Sequence, residues 1–233
     1  MGTVYNHTNL KFKVTIRSSS SSSSSWSSSE SSSSSNSSSS SSTAGVGLDP
    51  ENTYSAITLS NDNRTVVTSA GSAQVSRSVV YHTSGKRYFE ARYDDLGVLD
   101  AGLGVVNKDH TLFALIGAVS NPGNGVGYVN PTGRKWQDNS YLSTGTICAS
   151  GDVAMCAFDQ DTGNVWFGKN GTWIGGGNPS AGTSPTATET ELIGTSAFAA
   201  VCIANAGTDQ MTVNFTEGVM VYEIPTGFNA WET

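Results

Sequence analysis

Short strand-like runs separated by turn residues fill positions 43–233, and this pattern constrains the fold more than any other feature of the chain. The runs are rich in Val, Ile, Thr and aromatic residues, and Gly, Asn, Asp or Pro interrupts them roughly every ten residues. No long stretch repeats its apolar residues with a helical period. The pattern predicts an all-β sandwich or barrel, with strands at 54–59, 65–67, 87–93, 101–106, 111–116, 153–158, 164–167, 198–203 and 211–215.

Five motifs within residues 84–216 follow one another in an order known from one domain family. They are Ser-Gly-Lys-Arg-Tyr-Phe-Glu-Ala at 84–91, Ala-Gly-Leu-Gly-Val at 101–105, Gly-Asp-Val-Ala-Met-Cys-Ala-Phe-Asp at 151–159, Asn-Val-Trp-Phe-Gly-Lys-Asn-Gly at 164–171 and Val-Asn-Phe at 213–215. The set resembles the SPRY family, although Thr216 stands where that family has glycine. The resemblance implies a SPRY-type antiparallel β-sandwich of two curved sheets, a binding site on long surface loops, and no cofactor.

Two local features agree with that resemblance. Asn170-Gly171 predicts a two-residue hairpin turn, and the neighbours Trp166 and Phe167 point to opposite faces of a strand, so that at least one lies in the core. The run Gly-Gly-Gly-Asn-Pro at 175–179 is similar to the form seen in SPRY domains of bacteriophage and bacterial proteins.

Residues 1–17 contain a separate alternating segment. Apolar Leu10, Phe12, Val14 and Ile16 alternate with Lys11, Lys13, Thr15 and Arg17, the period of a half-buried strand. Because a single strand is not stable alone in water, we expect it to dock on another protein's sheet, or alternatively to add to the sandwich. We divide the chain into a docking strand (1–17), a serine arm (18–43) and the SPRY-like domain (44–233).

The arm is serine throughout residues 18–42 except for Trp26, Glu30 and Asn36. Polyserine has no apolar face with which to form a core. We expect neighbouring chains of an assembly to hold this arm, with Trp26 as an anchor. A plain linker, in which Trp26 has no role, is the alternative.

Charge and composition exclude several functions. The formal net charge is -7 with 13% charged residues, which speaks against nucleic acid or an anionic membrane surface as partner. No basic region followed by an apolar stretch comes after Met1, so we expect synthesis in a cytoplasm. The three cysteines Cys148, Cys156 and Cys202 are interpreted as buried thiols, with an intermolecular disulfide as the alternative.

Catalytic and metal motifs are weak. Residues 159–164 resemble the start of a calcium loop, but Asn170 occupies the position of its last, bidentate glutamate. The glycines at 123–127 lack the Gly-Lys-Ser/Thr of a phosphate loop, and no Gly-x-Ser-x-Gly elbow occurs. Paired carboxylates at 94–95 and at 189 and 191 leave glycoside hydrolysis open. We expect no enzymatic activity, no metal and no cofactor.

Polar and aromatic residues concentrate in the predicted loops and form the candidate ligand site: Asn121, Asn124, Tyr128, Arg134, Trp136, Asn139, Tyr141 and Trp173. Aromatic rings flanked by amides suit a sugar, whose C–H faces stack on the ring. The alternative is ordinary loop composition, with Trp136 tucked onto the sandwich and Trp173 in the core.

These observations favour a non-enzymatic virion protein, a bacteriophage fibre or decoration protein on the exterior of the particle. Its arm would bind other virion proteins and copies of itself, and its domain would bind a host-surface glycan or protein. Two alternatives stay open: a secreted carbohydrate-binding module on a serine linker, and an intracellular peptide-binding module.

Overall fold

The computed structural model describes residues 46–97, 100–118, 124–204 and 209–233. The predicted docking strand with Leu10, Phe12, Val14 and Ile16, and the serine arm with Trp26, lie outside the described residues. The strands are β1 (Leu48–Thr53), β2 (Ile57–Ser60), β3 (Thr65–Thr68), β4 (Gln74–His82), β5 (Lys86–Asp95), β6 (Ala101–Asn107), β7 (Gly125–Asn130), β8 (Arg134–Gln137), β9 (Ser140–Ser143), β10 (Val153–Asp159), β11 (Asn164–Lys169), β12 (Thr172–Trp173), β13 (Ala187–Thr188), β14 (Ala197–Ile203), β15 (Gln210–Asn214) and β16 (Asn229–Ala230).

Two sheets build the domain, as the all-β prediction required. Sheet A has the order β1-β4-β14-β6-β7-β8-β9. Sheet B has the order β12-β11-β10-β5-β15-β3-β2, with β13 beside β11 and β16 beside β5. Neighbouring strands are antiparallel except for β16, which runs parallel to β5. Within the described part of the chain no helix is long and apolar enough to cross a membrane.

The main core lies between the sheets. Tyr128 of sheet A stacks on Phe167 of sheet B with ring centroids 5.9 Å apart, and Phe89 contacts both Phe215 and Trp231. The cysteines at 148, 156 and 202 are buried free thiols, as predicted. Burial raises the pKa of the Cys202 thiol to about 12, so it stays protonated and packs as a small apolar group.

A segment near the C-terminus covers the outer face of sheet B. The buried Glu90 carboxylate accepts hydrogen bonds from the N–H groups of Val221 and Tyr222, both at 2.8 Å, and from the Tyr88 hydroxyl. Beside it the fully buried Trp166 meets Phe228 edge to face. Trp166 and Phe167 therefore both lie in apolar clusters, on opposite faces of β11.

The segment 108–118 covers the outer face of sheet A. Its buried Ile116 sits on the backbone of two strand glycines: a Cβ on Gly127 would lie 2.7 Å from the Ile116 Cβ, and a Cβ on Gly104 would lie 2.9 Å from its Cγ2. A glycine inside a strand commonly marks such a close approach. The strand predicted at 111–116 is therefore wrong, because these apolar residues form an irregular plug over the sheet.

Two turns have the backbone that a two-residue hairpin demands. Asn170 and Gly171 join β11 to β12 with φ angles of 48° and 79°, which confirms the turn predicted there. Asp138 and Asn139 join β8 to β9 with φ angles of 51° and 56°. Positive φ at both central residues is the primed turn that matches the twist of the strands.

Gly127→Ala should lower the free energy of unfolding by about 1–3 kcal/mol, because the new methyl group must displace Ile116 or the strand backbone. Gly71→Ala is the matched control, since a Cβ at Gly71 meets nothing within 4 Å. Urea unfolding of both variants measures the difference. Equal stabilities of the two variants would contradict the packing described for Ile116.

The segment 108–118 also contains a buried histidine, whose hydrogen bonds define which ring nitrogen carries the proton. His110 Nδ1 lies 2.7 Å from the carbonyl oxygen of Thr111, and Gly117 N–H donates to Nε2 at 3.3 Å. A carbonyl oxygen only accepts, so the proton sits on Nδ1 and the ring is neutral. Burial lowers the pKa of His110 from its ordinary value of 6.5.

Acidification should therefore destabilise the domain through His110. The unfolded chain takes up a proton at this ring near pH 6.5 that the folded chain resists, so its contribution is complete above that pH and is lost as the pH falls to the lower folded pKa. His110→Gln keeps one donor and one acceptor but does not titrate. Urea midpoints of both proteins at about pH 7.5 and about pH 5.5 should diverge with acid, and a constant difference would count against the neutral ring.

Candidate functional site

Four of the eight candidate residues come together on the β8–β9 hairpin, at one edge of sheet A. Trp136 and Tyr141 are directly opposite in the register, with ring centroids 4.9 Å apart. The Arg134 guanidinium lies 4.1 Å from the centroid of the Tyr141 ring. Asn139 sits in the turn of the hairpin, where its N–H donates to the carbonyl oxygen of Gly117 at 3.0 Å.

Two other candidates are buried, which corrects the expectation that they face a ligand. Tyr128 is 0% exposed, and its hydroxyl donates to the carbonyl oxygen of Thr146 at 2.8 Å. Asn124 is 9% exposed and accepts a hydrogen bond from the side chain of Asn107 at 3.2 Å. Tyr128 belongs to the core between the sheets, and Asn124 packs at the start of β7, where loop-like composition had suggested a surface. Asn121 lies outside the described residues.

Trp173 is half-buried and lies away from the Trp136–Tyr141 pair. Its ring meets Tyr88 edge to face at 6.2 Å, so one side of the indole packs against the outer face of sheet B. Another part lines a surface cavity of about 300 Å³ together with Thr146, Lys169, Asn170, Thr172, Ile174 and Gly175. Trp173 is therefore both a packing residue and part of a concave surface.

A second cavity adjoins the first at Ile174 and Gly175. It has a volume of about 310 Å³ and is lined by Lys135, Leu142, Ser143, Thr144, Ile174, Gly175, Ser184, Pro185 and Thr186. This second cavity lies under the β8–β9 hairpin, on the face that carries Lys135 and Leu142. We call it the hairpin groove. Its size falls in the range of ligand sites, which start at about 300 Å³.

Sequence reasoning missed most of the hairpin groove. No sequence motif identifies the strands that contain Leu142 and Lys135. Ile174 directly precedes three glycines and was not recognised as part of a site. The available signal was the glycine run itself: Gly175 has a φ angle of 68° and a Cβ there would meet nothing within 4 Å. At Gly175 and Gly176, where an added Cβ would meet nothing, the backbone is open to a ligand.

Gln137 of β8 connects the hairpin to residues at the edge of sheet B. The Gln137 amide donates to the carbonyl oxygen of Thr188 at 2.8 Å and to the Glu189 carboxylate at 3.2 Å. Burial raises the pKa of Glu189, and the neighbouring Asp138 carboxylate raises it further. These contacts tie the hairpin to the strand that follows Thr186, one of the residues that line the hairpin groove.

The outer edge of the hairpin has no neighbouring strand among the described residues. All four residues of β9 are exposed, and Tyr141 and Leu142 are 52% and 65% exposed. Tyr141 lies on the face of β9 that carries the Trp136 ring, and Leu142 lies on the face that lines the hairpin groove. An edge strand with exposed apolar side chains is a template for pairing with another chain.

A third cavity, of about 420 Å³, lies on the outside of sheet B. Its lining comes from one short segment: Glu217, Met220, Val221, Tyr222, Glu223 and Ile224. The Glu90 carboxylate holds the backbone of this segment, residues 217–224, which we call the strap. We therefore interpret the cavity as a shallow surface depression beside the strap. It is not a cleft between elements.

Several of the residues that the sequence left open for metal or hydrolytic chemistry have partners within the domain. Asp159 forms an ion pair with Lys86 at 3.2 Å, and Asp161 accepts from the N–H of Gly85 at 2.9 Å. Asp94 forms an ion pair with Arg92. Among the residues that the structure describes, no group of three His, Cys, Asp or Glu side chains is placed to hold a metal ion.

Comparison with known proteins identifies the architecture. No family model matches the chain, and no curated protein matches it. The crystal structure of the SPRY domain of human HERC1 superposes with a TM-score of 0.54 at 16% identity, over 71% of this chain and 96% of that domain.

Two further solved structures agree. A human SPRY domain gives a TM-score of 0.51 at 20% identity, over 68% of this chain and 94% of that one. The stonustoxin structure gives 0.53 at 16% identity, over 73% of this chain and 27% of that one. The described part of the chain has the SPRY-type β-sandwich fold.

Proposed function

We propose that this domain is a non-enzymatic binding module that takes an extended segment of a partner protein along β9. The observation that carries the proposal is the open edge of β9, where Tyr141 and Leu142 are more than half exposed beside the hairpin groove. Backbone hydrogen bonds to an edge strand supply affinity in this mode of recognition, and pockets for alternate side chains supply specificity.

The geometry of the hairpin suits such a segment on both faces. Successive side chains of an added strand point to opposite faces of the sheet. One set would lie beside Leu142 over the hairpin groove, where Ile174 and Pro185 supply apolar surface. The other set would lie beside Tyr141 and Trp136. The hairpin would thus contact the side chains on both faces of one extended segment.

A sugar is less well accommodated than a protein segment at the same place. Stacking of a sugar needs a free ring face. The Arg134 guanidinium already stacks on the Tyr141 ring at 4.1 Å, and the Trp136 ring contacts it at 4.9 Å. The same contacts leave the edge backbone of β9 open, which favours a peptide.

We propose a virion as the setting, with the domain displayed on the exterior of a bacteriophage fibre or tail. Support comes from the sequence: the alternating segment at 10–17, the serine tract at 18–42, and the glycine run at 175–179 that resembles bacteriophage forms. The partner segment would then belong to another virion protein or to a host-surface protein. A secreted carbohydrate-binding module and an intracellular peptide-binding module are the competing assignments.

Selection of a random peptide library against the full chain should yield strand-forming peptides. Leu142→Asp should weaken their binding at least about tenfold, because it places a charge beside the hairpin groove. Val221→Asp is the matched control, since Val221 is 57% exposed and lies in the segment that covers the outer face of sheet B. Peptides that bind both variants equally would contradict the site. If no peptide is selected, and Trp136→Ala abolishes binding on a glycan array, the carbohydrate assignment is favoured instead.

The virion setting has its own test, because the arm contains sites for several proteases. Trypsin should cleave after Arg17 in the isolated protein, and chymotrypsin after Trp26. In intact particles both sites should be protected, since the docked arm would be covered by neighbouring chains. Equal cleavage in both preparations would make the serine tract a plain linker and favour a tethered binding module.

A further inference from the structure

We propose that the extended segment that β9 takes up is β9 of a second copy of this chain. A two-fold axis perpendicular to the sheet would join the two seven-stranded sheets into one. The interface is then isologous, with the same surface on both subunits. This inference rests on the proposed function, because it names the partner of the same open edge.

The pairing pattern of the hairpin shows which backbone groups are directed outwards. The turn at Asp138 and Asn139 is closed by the pair Gln137 and Ser140, which exchange hydrogen bonds in a two-residue hairpin. In an antiparallel ladder bonded and non-bonded pairs alternate. Leu142 therefore bonds to β8, whereas Tyr141 and Ser143 direct their N–H and C=O groups away from it.

These two residues match a two-fold axis that passes through Leu142. Tyr141 of one subunit then pairs with Ser143 of the partner subunit, and Ser143 pairs with Tyr141 of the partner subunit. Each pair exchanges two hydrogen bonds, so every outward group on both residues is used. An axis through Tyr141 is worse, because it would need Asn139, whose φ angle is 56° and whose N–H already donates to Gly117.

The side chains fit the same arrangement. With the axis at Leu142, the two Leu142 side chains are directly opposite each other as a non-bonded pair, where cross-strand side chains come closest. Each is 65% exposed in the single copy and lies on the groove face of the sheet. The pair would continue the apolar wall of one hairpin groove into that of the partner.

Contact between two copies at β9 avoids the charge repulsion that the rest of the domain surface presents. The described domain, residues 46–233, carries nine basic and eighteen acidic residues, so most of its surface repels another copy. The four residues of β9, Ser-Tyr-Leu-Ser, carry no charge. At the opposite edge of sheet A, β1 contains Asp49, Pro50 and Glu51. Charged residues and proline on an edge strand disfavour pairing with a further strand.

The edges of sheet B are also less suited. β12 has only two residues. In β2 the apolar side chains are already used, since Ile57 is buried and Leu59 is partly buried against the core. Among the described edges, β9 therefore combines free backbone groups, exposed apolar side chains and the absence of charge.

The association should be weak. A stable dimer buries roughly 1,200–2,000 Å², and a pair of four-residue strands covers less than that. We expect dimers only at high protein concentration, or where many copies are tethered close together and the effective concentration is raised.

Sedimentation velocity of the full chain over a concentration series tests the proposal. Wild type should form dimers. Leu142→Lys and Leu142→Glu should each weaken dimerisation about tenfold or more, because like charges would face each other at the axis. An equimolar mixture of the two variants should dimerise again. Ser143→Pro should also abolish pairing, since it removes an outward N–H that the hairpin does not use.

Val221→Lys is the control, and thermal unfolding checks that every variant is folded. A monomeric wild type at all concentrations would overturn the proposal, as would dimers that Leu142→Lys and Ser143→Pro leave unchanged. If wild type is monomeric yet binds library peptides that Leu142→Asp rejects, the inference fails and the proposed function stands. If wild type dimerises through β9 but no peptide binds, self-association is the sole role of this edge.

Discussion

The contact of Ile116 with the strand glycines Gly104 and Gly127 is the constraint on which the rest of sheet A depends. It brings the segment 108–118 down onto the outer face of the sheet, closer than any residue with a Cβ would allow. Gly117 in that segment then accepts the N–H of Asn139 and lies against the backbone of Trp136. The position of the β8–β9 hairpin thus follows from two absent side chains in the neighbouring strands.

Sheet B is covered by a different kind of interaction. There a buried carboxylate, Glu90, binds the backbone of the strap at Val221 and Tyr222, and hydrogen bonds to a charged group contribute roughly 1.5–3 kcal/mol each. The segment 108–118 on sheet A and the Glu90 carboxylate on sheet B have the same result. Both outer faces are closed, and β10 is buried at all seven residues. What remains open is the outer strand of the hairpin, β9, whose four residues are exposed.

Sequence patterns anticipated the parts of the fold that are governed locally. The turn at Asn170 and Gly171 and the two-sided burial of Trp166 and Phe167 follow from turn chemistry and strand alternation. The prediction of a strand at 111–116 was wrong, because an irregular apolar segment that packs on a sheet has the same composition as a buried strand. The hairpin groove could not be foreseen, since Leu142 and Ile174 are 32 positions apart and meet only through the sheet topology.

The contrast between the two edges of sheet A bears on function. A domain with an exposed, uncharged edge strand risks uncontrolled aggregation unless that edge is covered or used. β1 carries proline and two carboxylates within three consecutive residues, whereas β9 carries neither proline nor charge and exposes Tyr141 and Leu142. One edge of the same sheet is thus protected while the other is left ready to pair. Because the hairpin is only four residues a side, pairing there stays weak and reversible, which suits a contact that forms when partners are brought together.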